Sequence, residues 1–322
     1  MEKTTDQRAE VLDGARIAEE IKREVAAEVV RLQQESNVRP CLATVRVGDD
    51  PASTIYVRNK VLACEALGLR SEPHVLAAET TTEHLLDLVG TLNKRDDVDG
   101  ILVQLPLPPG VDELRVIEAI DPAKDVDGIH PINVGRLALG QPGLVPCTPA
   151  GIIELLERSG VAISGMNACV VGRSNIVGRP MSQLLLQRNA TITICHSRTR
   201  DLAAMTRQAD ILIVAIGRAA LVRGEHIKPG AAVVDVGMNK VTDEGEARAL
   251  FGDDAAKRVE IIKRRGYTLV GDVHPAEVEG VAGRLTPVPR GVGPLTIAML
   301  MQNTVKAARM RRGIKVTGDE QE

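Results

Sequence analysis

The stretch Ala168–Met181, ACVVGRSNIVGRPM, constrains the chain more than any other. An apolar run over Ala168–Val171 meets Gly172, then Arg173-Ser174-Asn175, then Gly178, Pro180 and an amphipathic segment. That order reads as strand, glycine turn and helix start. Glycines let a backbone approach an anion closely, and the first helical N–H groups point at it. Pro180 suits a first helical turn, where its missing N–H costs nothing. The spacing is not G-x-G-x-x-G, so the stretch is either a phosphate-binding turn or an ordinary connection from strand to helix. The next apolar run, Thr191–Cys195, stands at the distance of a βαβ unit and favours the former.

An NAD site usually places an acid on the ribose after that second strand. Here the chain reads Cys195-His196-Ser197-Arg198-Thr199, with no acid. Ser197, Arg198 and Arg173 are groups that accept a 2′-phosphate, so NADP is expected over NAD. Further apolar runs follow at Ile211–Ala215, Ala232–Val236 and Thr268–Val270. Strands alternating with helical segments predict a parallel, doubly wound α/β sheet.

At 322 residues the chain has room for two domains, and its 44% hydrophobic content can fill two cores. With no Trp, two Tyr and one Phe, those cores are aliphatic. The Gly/Pro-rich segment GQPGLVPCTP (140–149) marks a hinge. The expected division is residues 1–145 with 296–322 as a first α/β domain, and 146–295 as a Rossmann-like NADP domain. Residues 1–10 read as a disordered lead. A net charge of −3 excludes an electrostatic nucleic-acid partner. The basic residues Lys306, Arg309, Arg311, Arg312 and Lys315 read as the solvated face of a last helix. Five scattered cysteines without C-x-x-C read as free thiols, and the six histidines show no ligand spacing, so no metal is expected. A polar start and no run of 18 apolar residues predict a soluble, cytoplasmic protein without a membrane partner.

In the first half, Asp50-Pro51 opens a helix expected to end at Gly68. Tyr56 and Lys60 stand four residues apart on it, hence on one face. The pair is either an ordinary surface pair or an aromatic platform beside an amine, and a desolvated lysine serves as general acid or base near neutrality. Gln104 follows the strand Gly100–Val103, at the end where open α/β sheets bind ligands. The run Asp121-Pro-Ala-Lys-Asp-Val-Asp-Gly128 is either a solvated loop or a device that aims a carboxylate at an amidine-like heterocycle edge.

Taken together these segments resemble the bifunctional methylenetetrahydrofolate dehydrogenase/methenyltetrahydrofolate cyclohydrolase family. The resemblance is carried in order by YVRNK (56–60), VQLPLP (103–108), KDVDG (124–128), PCTP (146–149), GRSNIVGRP (172–180), GDV (271–273) and TPVPRGVGP (286–294). It implies two α/β domains with a cleft between them, NADP as cofactor, tetrahydrofolate one-carbon derivatives as substrates and a homodimer. Lys60 would be the general acid/base of hydrolysis, Gln104 would hold it, Tyr56 would lie against the folate, and Asp127 would bind the pterin edge. Gly172, Arg173, Ser174 and Ser197 would hold the cofactor phosphates, with Thr148 and Met238 as further cofactor contacts. Pro287 and Gly291 would join the substrate contacts. The implied activity is oxidation of 5,10-methylenetetrahydrofolate and hydrolysis of the product to 10-formyltetrahydrofolate. The alternatives are one activity alone, or a non-catalytic NADP- or folate-binding regulator. A short-chain dehydrogenase, which also uses Y-x-x-x-K, places its glycine turn before the tyrosine; here Tyr56 comes first.

Two departures from the family pattern stand out. Arg290 occupies a position that is usually glycine. It either pairs with a substrate carboxylate or, if the loop requires a positive φ, strains it. The segment 241–265 is longer than usual and reads as surface elaboration.

Overall fold

The structure, a computed structural model, describes residues 8–314. It falls into two compact units. The first unit comprises Ala18–Cys147 with Thr296–Glu322, and the second Met1–Ile17 with Thr148–Leu295.

The first unit holds a three-stranded parallel sheet in the order Arg70–Leu76, Cys41–Val47, Gly100–Val103. Its middle strand, CLATVRV, is buried at every position, as expected for a parallel strand covered on both faces. Val45, Leu85, Val89, Ile101 and Val116 belong to one aliphatic core there. The helix Pro51–Ala66 starts as the sequence indicates: Asp50 accepts from Ser53 N at 2.7 Å, and Pro51 occupies the first turn.

The last helix, Gly293–Arg312, corrects one expectation. Its basic residues are not a solvated face. Arg311 and Arg312 both donate to Asp99, a fully buried carboxylate that also accepts from Cys41 N. Lys306 donates to Gly143 O at 2.7 Å, and Arg309 pairs with Glu28. A buried carboxylate is tolerated only with such compensation. Lys315 lies outside the described residues.

The second unit carries a six-stranded, wholly parallel sheet. Its order is Glu10–Val11, Arg284–Leu285, Ala232–Asp235, Ile211–Val214, Asn167–Val171, Thr191–Cys195. The N-terminal boundary therefore differs from the expected one. Glu10–Val11 pairs with Arg284–Leu285, and Leu12 N donates to Leu285 O, so the described residues before Ala18 belong with the second unit. The expected disordered lead covers residues 1–7, which lie outside the described residues, and residues 8–10, which run into this strand.

Thr268–Val270 is a further correction, because it leaves the main sheet and pairs antiparallel with Asn239–Val241. The long segment between them folds into the helices Glu244–Phe251 and Ala255–Arg265. Val241, Ala247, Phe251, Val259 and Val270 pack into a core of their own, so the insertion is a structured part of the fold rather than surface elaboration. All five cysteines are buried and free. No helix among the described residues is long and apolar enough to cross a membrane.

Candidate functional site

In the first unit, the parallel strands bring Gln104 to the end of the sheet, where its N–H donates to Val45 O. The helix Pro51–Ala66 places Lys60 opposite. Lys60 Nζ donates to Gln104 Oε1 at 2.9 Å, and Gln104 Nε2 is itself fixed on Leu105 O at 2.6 Å. The amide is thus oriented with its oxygen toward the amine. Tyr56, one turn before Lys60, is 39% exposed. Burial pushes the Lys60 amine below its ordinary range, while the Asp127 carboxylate opposes that shift. Asp127 is raised by burial and by neighbouring Asp125, against the pull of Lys60 and a hydrogen bond with Cys147. Burial, with Asp127 beside it, holds Cys147 well above the usual thiol range, so it stays a neutral thiol.

The charged run before Gly128 divides its labour. Lys124 is 1% exposed, and its ammonium donates to Leu92 O, Asn93 O and Arg95 O, the last carbonyls of the helix Thr82–Lys94 and the residue after it. A cation there satisfies orphan carbonyls and suits the negative end of the helix dipole. Asp125 accepts from Gly128 N, His130 N and Asn133 Nδ2. Both residues are consumed in holding the loop, which leaves Asp127 as the carboxylate that faces Lys60. Gly128 has φ +73°, and a Cβ there would sit 2.4 Å from Val145 C, so only glycine closes this turn.

In the second unit, Val171 and Cys195 are paired in register, so the residues after them leave the sheet at the same edge. Gly172 N donates to Cys195 O, which ties the two loops together. Gly172 has φ +131°, and a Cβ would lie 2.2 Å from Ala215 O; one on Gly178 would lie 2.3 Å from Gly172 O. The turn is therefore a bare backbone cradle at the head of the helix Gly178–Gln187. Ser174 Oγ accepts from Val177 N and Gly178 N, leaving its own proton to donate outward. Arg173, Ser174, Ser197 and Arg198 are all exposed around it.

Sequence reasoning gave no role to Asp235 or Asp272, and the structure gives both one. Asp272 accepts from Ile216 N, Gly217 N, Arg218 N and Asn239 Nδ2. Asp235 accepts from Gly237 N, Asp272 N and Val273 N. The two carboxylates shape the turns after neighbouring strands and present Met238, which is 45% exposed. The GDV motif was the only signal for them.

Thr148 stands in the first turn of the helix Cys147–Arg158. Pro287 is exposed, whereas Gly291 is buried, with room for a Cβ denied by Pro287 O at 2.6 Å. Arg290 has φ +86°, so the loop does take a positive φ there and the arginine is strained. The candidate residues thus form two sets: Tyr56, Lys60, Gln104 and Asp127 in the first unit, and the cofactor candidates with Pro287 and Gly291 in the second.

A parallel α/β unit with a lysine–amide–carboxylate group, and a second with a glycine cradle at a sheet edge, define a nucleotide-dependent enzyme of two-unit build. Family comparison makes the class specific. Residues 12–127 match the tetrahydrofolate dehydrogenase/cyclohydrolase catalytic domain, and residues 146–312 match the NAD(P)-binding domain of the same family. The chain is 57% identical over 305 residues to the bifunctional protein FolD of Koribacter versatilis, covering 95% of this chain and 98% of the relative. Among solved structures, it superposes on the bifunctional FolD of Campylobacter jejuni with a TM-score of 0.84 at 43% identity, covering 94% of this chain and 99% of that one. The Trypanosoma brucei methylenetetrahydrofolate dehydrogenase-cyclohydrolase, solved with NADP cofactor and inhibitor, gives 0.85 at 39% identity, covering 97% and 100%. The chain belongs to the tetrahydrofolate dehydrogenase/cyclohydrolase family.

Proposed function

We propose that this chain oxidises 5,10-methylenetetrahydrofolate with NADP and hydrolyses the resulting methenyl cation to 10-formyltetrahydrofolate. The observation that carries the reading is the Lys60–Gln104 pair, with Asp127 opposite and the amine held below its ordinary range.

The glycine turn fits a dinucleotide: its own backbone packs where Cβ atoms at Gly172 and Gly178 would stand, which keeps the loop tight at the head of the helix Gly178–Gln187. Backbone N–H groups of the turn, with Arg173, Ser174 and Ser197, would hold its phosphates. NADP, when bound, accepts the hydride from the one-carbon bridge. Exposed Arg173 and Arg198, with no acid over His196–Thr199 directly after the second strand, support NADP over NAD.

Hydrolysis falls to the first unit. An uncharged Lys60 keeps one N–H on Gln104 Oε1, which aims its lone pair outward. Water adds to the electrophilic methenyl carbon, the C=N π pair moves onto nitrogen, and Lys60 takes the proton the water sheds; the carbon–N5 bond of this adduct then breaks, its hydroxyl proton passing to N5 as the formyl C=O forms. The positive substrate beside it favours the neutral amine further. Asp127 offers two oxygens to the paired N–H donors of a pterin edge. Tyr56 presents its ring to the same substrate.

Mixing protein, NADP and 5,10-methylenetetrahydrofolate tests this reading by absorbance, with NAD in parallel. NADPH without methenyl build-up is expected, with kcat/KM for NADP at least about tenfold above that for NAD. NADPH with accumulating methenyl would remove the hydrolytic role of Lys60, and no NADPH would remove the dehydrogenase.

The assembly we propose is a homodimer, and the cytoplasm is its compartment. Thr191–Cys195 is the outermost strand of the six-stranded sheet, with Ile194 45% and Leu186 57% exposed beside it. Such an edge invites pairing. Light scattering coupled to size exclusion is expected to give twice the chain mass, and a Leu186→Glu, Ile194→Glu variant half that; a monomeric wild type refutes it.

A further inference from the structure

The peptide that leads into Asp127 is held from a distant part of the sequence. Asn303, on the helix Gly293–Arg312, is 5% exposed. Its amide nitrogen donates to Val126 O at 2.9 Å and to Val145 O at 2.8 Å, and lies 3.5 Å from Cys147 Sγ. An amide has two N–H groups, so the two carbonyls take them and the sulfur contact is the weak third. Cys147 Sγ in turn donates to Val126 O at 3.2 Å. One side chain therefore stitches the residue before Asp127 to the segment that packs against Gly128. One turn further along the same helix, Lys306 grips that segment again at Gly143 O. On the other side, Val126 N donates to Lys124 O, whose ammonium is anchored under its helix.

We infer that Asn303 is a positioning residue for hydrolysis: by fixing the Val126 carbonyl against Val145, it sets the direction in which Asp127 faces Lys60. The inference rests on the reading of Lys60 and Asp127 given above. Asn303 touches neither side chain in the hydrogen-bond pattern, so its influence runs through the peptide that carries Asp127. Val126 is fully buried and the turn at Gly128 tolerates no Cβ, so the loop has few other ways to aim the carboxylate. The charged and titratable groups that face Asp127 are Lys60, Asp125 and Cys147. If Asp127 turns away, Lys60 loses the carboxylate that opposes its downward shift.

A double-mutant cycle on the full-length enzyme tests this, with hydrolysis of supplied methenyltetrahydrofolate as the readout. Asn303→Ala is expected to lower kcat about tenfold, and Asn303→Ser, which keeps one donor, to fall between it and the wild type. The limb of the pH profile that reports Lys60 is expected to move to lower pH in Asn303→Ala, as it does in Asp127→Asn. In an Asp127→Ala background, adding Asn303→Ala is expected to cost less than about twofold more. A full tenfold further loss in that background would overturn the inference, because Asn303 would then act independently of Asp127. So would an unmoved pH limb in a variant that melts at the wild-type temperature. Should Asp127→Ala alone leave hydrolysis intact, the reading of the site fails first and the inference falls with it. If Asn303→Ala does not fold, the Asn303→Ser cycle decides the question on the same criteria.

Discussion

A lysine that takes a proton near neutrality must be kept uncharged, and here two opposing effects settle its state. Burial lowers the Lys60 amine and Asp127 raises it, with burial the larger. Gln104 adds direction rather than charge. Neither effect is visible in a Y-x-x-x-K spacing, which fits a surface pair equally well. Arg290 is the other residue whose backbone carries information. At φ +86° it occupies a region that glycine enters freely, and its side chain makes no hydrogen bond or ion pair among the described residues. A left-handed L-residue costs about 1–2 kcal/mol, partly offset by the greater freedom of an unfolded glycine. Arg290→Gly is therefore expected to gain up to about 1 kcal/mol, a rise of about 1–3 °C in melting temperature by calorimetry. A lowered melting temperature would show that the side chain repays its own strain. The strain could not be read from sequence, because it depends on one dihedral angle.

At the scale of elements, the turns at the sheet edge of the second unit are organised by carboxylates rather than by glycines alone. Asp235 takes three backbone N–H groups, yet burial pushes it up to about 7 from an ordinary value of 3.8. The folded chain therefore holds a proton that the unfolded chain has lost between those values. The stability this group contributes is present below about 4 and is lost as pH rises through about 7. Asp235→Asn removes that titration while keeping one acceptor. Its melting temperature relative to wild type is expected to shift in the variant's favour from about pH 5 to about pH 8. A gap independent of pH would mean that Asp235 does not titrate there. Elements were legible where apolar runs were bounded by glycine, as at Ala168–Val171 before Gly172 and Ala232–Val236 before Gly237. Glu10–Val11 was not, since two residues show no periodicity and their partner lies at Arg284–Leu285. Thr268–Val270 looked like one more sheet strand because composition does not say which sheet a strand joins.

For the molecule as a whole, the sequence carried the two-unit division and the chemistry of each unit through ordered motifs. It did not carry the ties between distant segments. Arg311 and Arg312 read as solvated because their partner, Asp99, is about two hundred residues away. Whether the run Asp121–Gly128 was a solvated loop or aimed a carboxylate stayed open in the sequence, because only the fold shows Lys124 and Asp125 spent on holding it. What remains after those ties are drawn is the Lys60 amine, held on Gln104 Oε1 in the first unit, with hydride transfer assigned to the cofactor. The central claim is that Lys60 serves hydrolysis and that oxidation does not need its proton uptake. Lys60→Met tests this most directly, followed with NADP and 5,10-methylenetetrahydrofolate by absorbance at the NADPH and methenyl bands, alongside a melting curve. The account predicts a wild-type melting temperature, NADPH formation, and accumulating methenyltetrahydrofolate with hydrolysis reduced by at least about 10²-fold. Hydrolysis at the wild-type rate in that folded variant would contradict it.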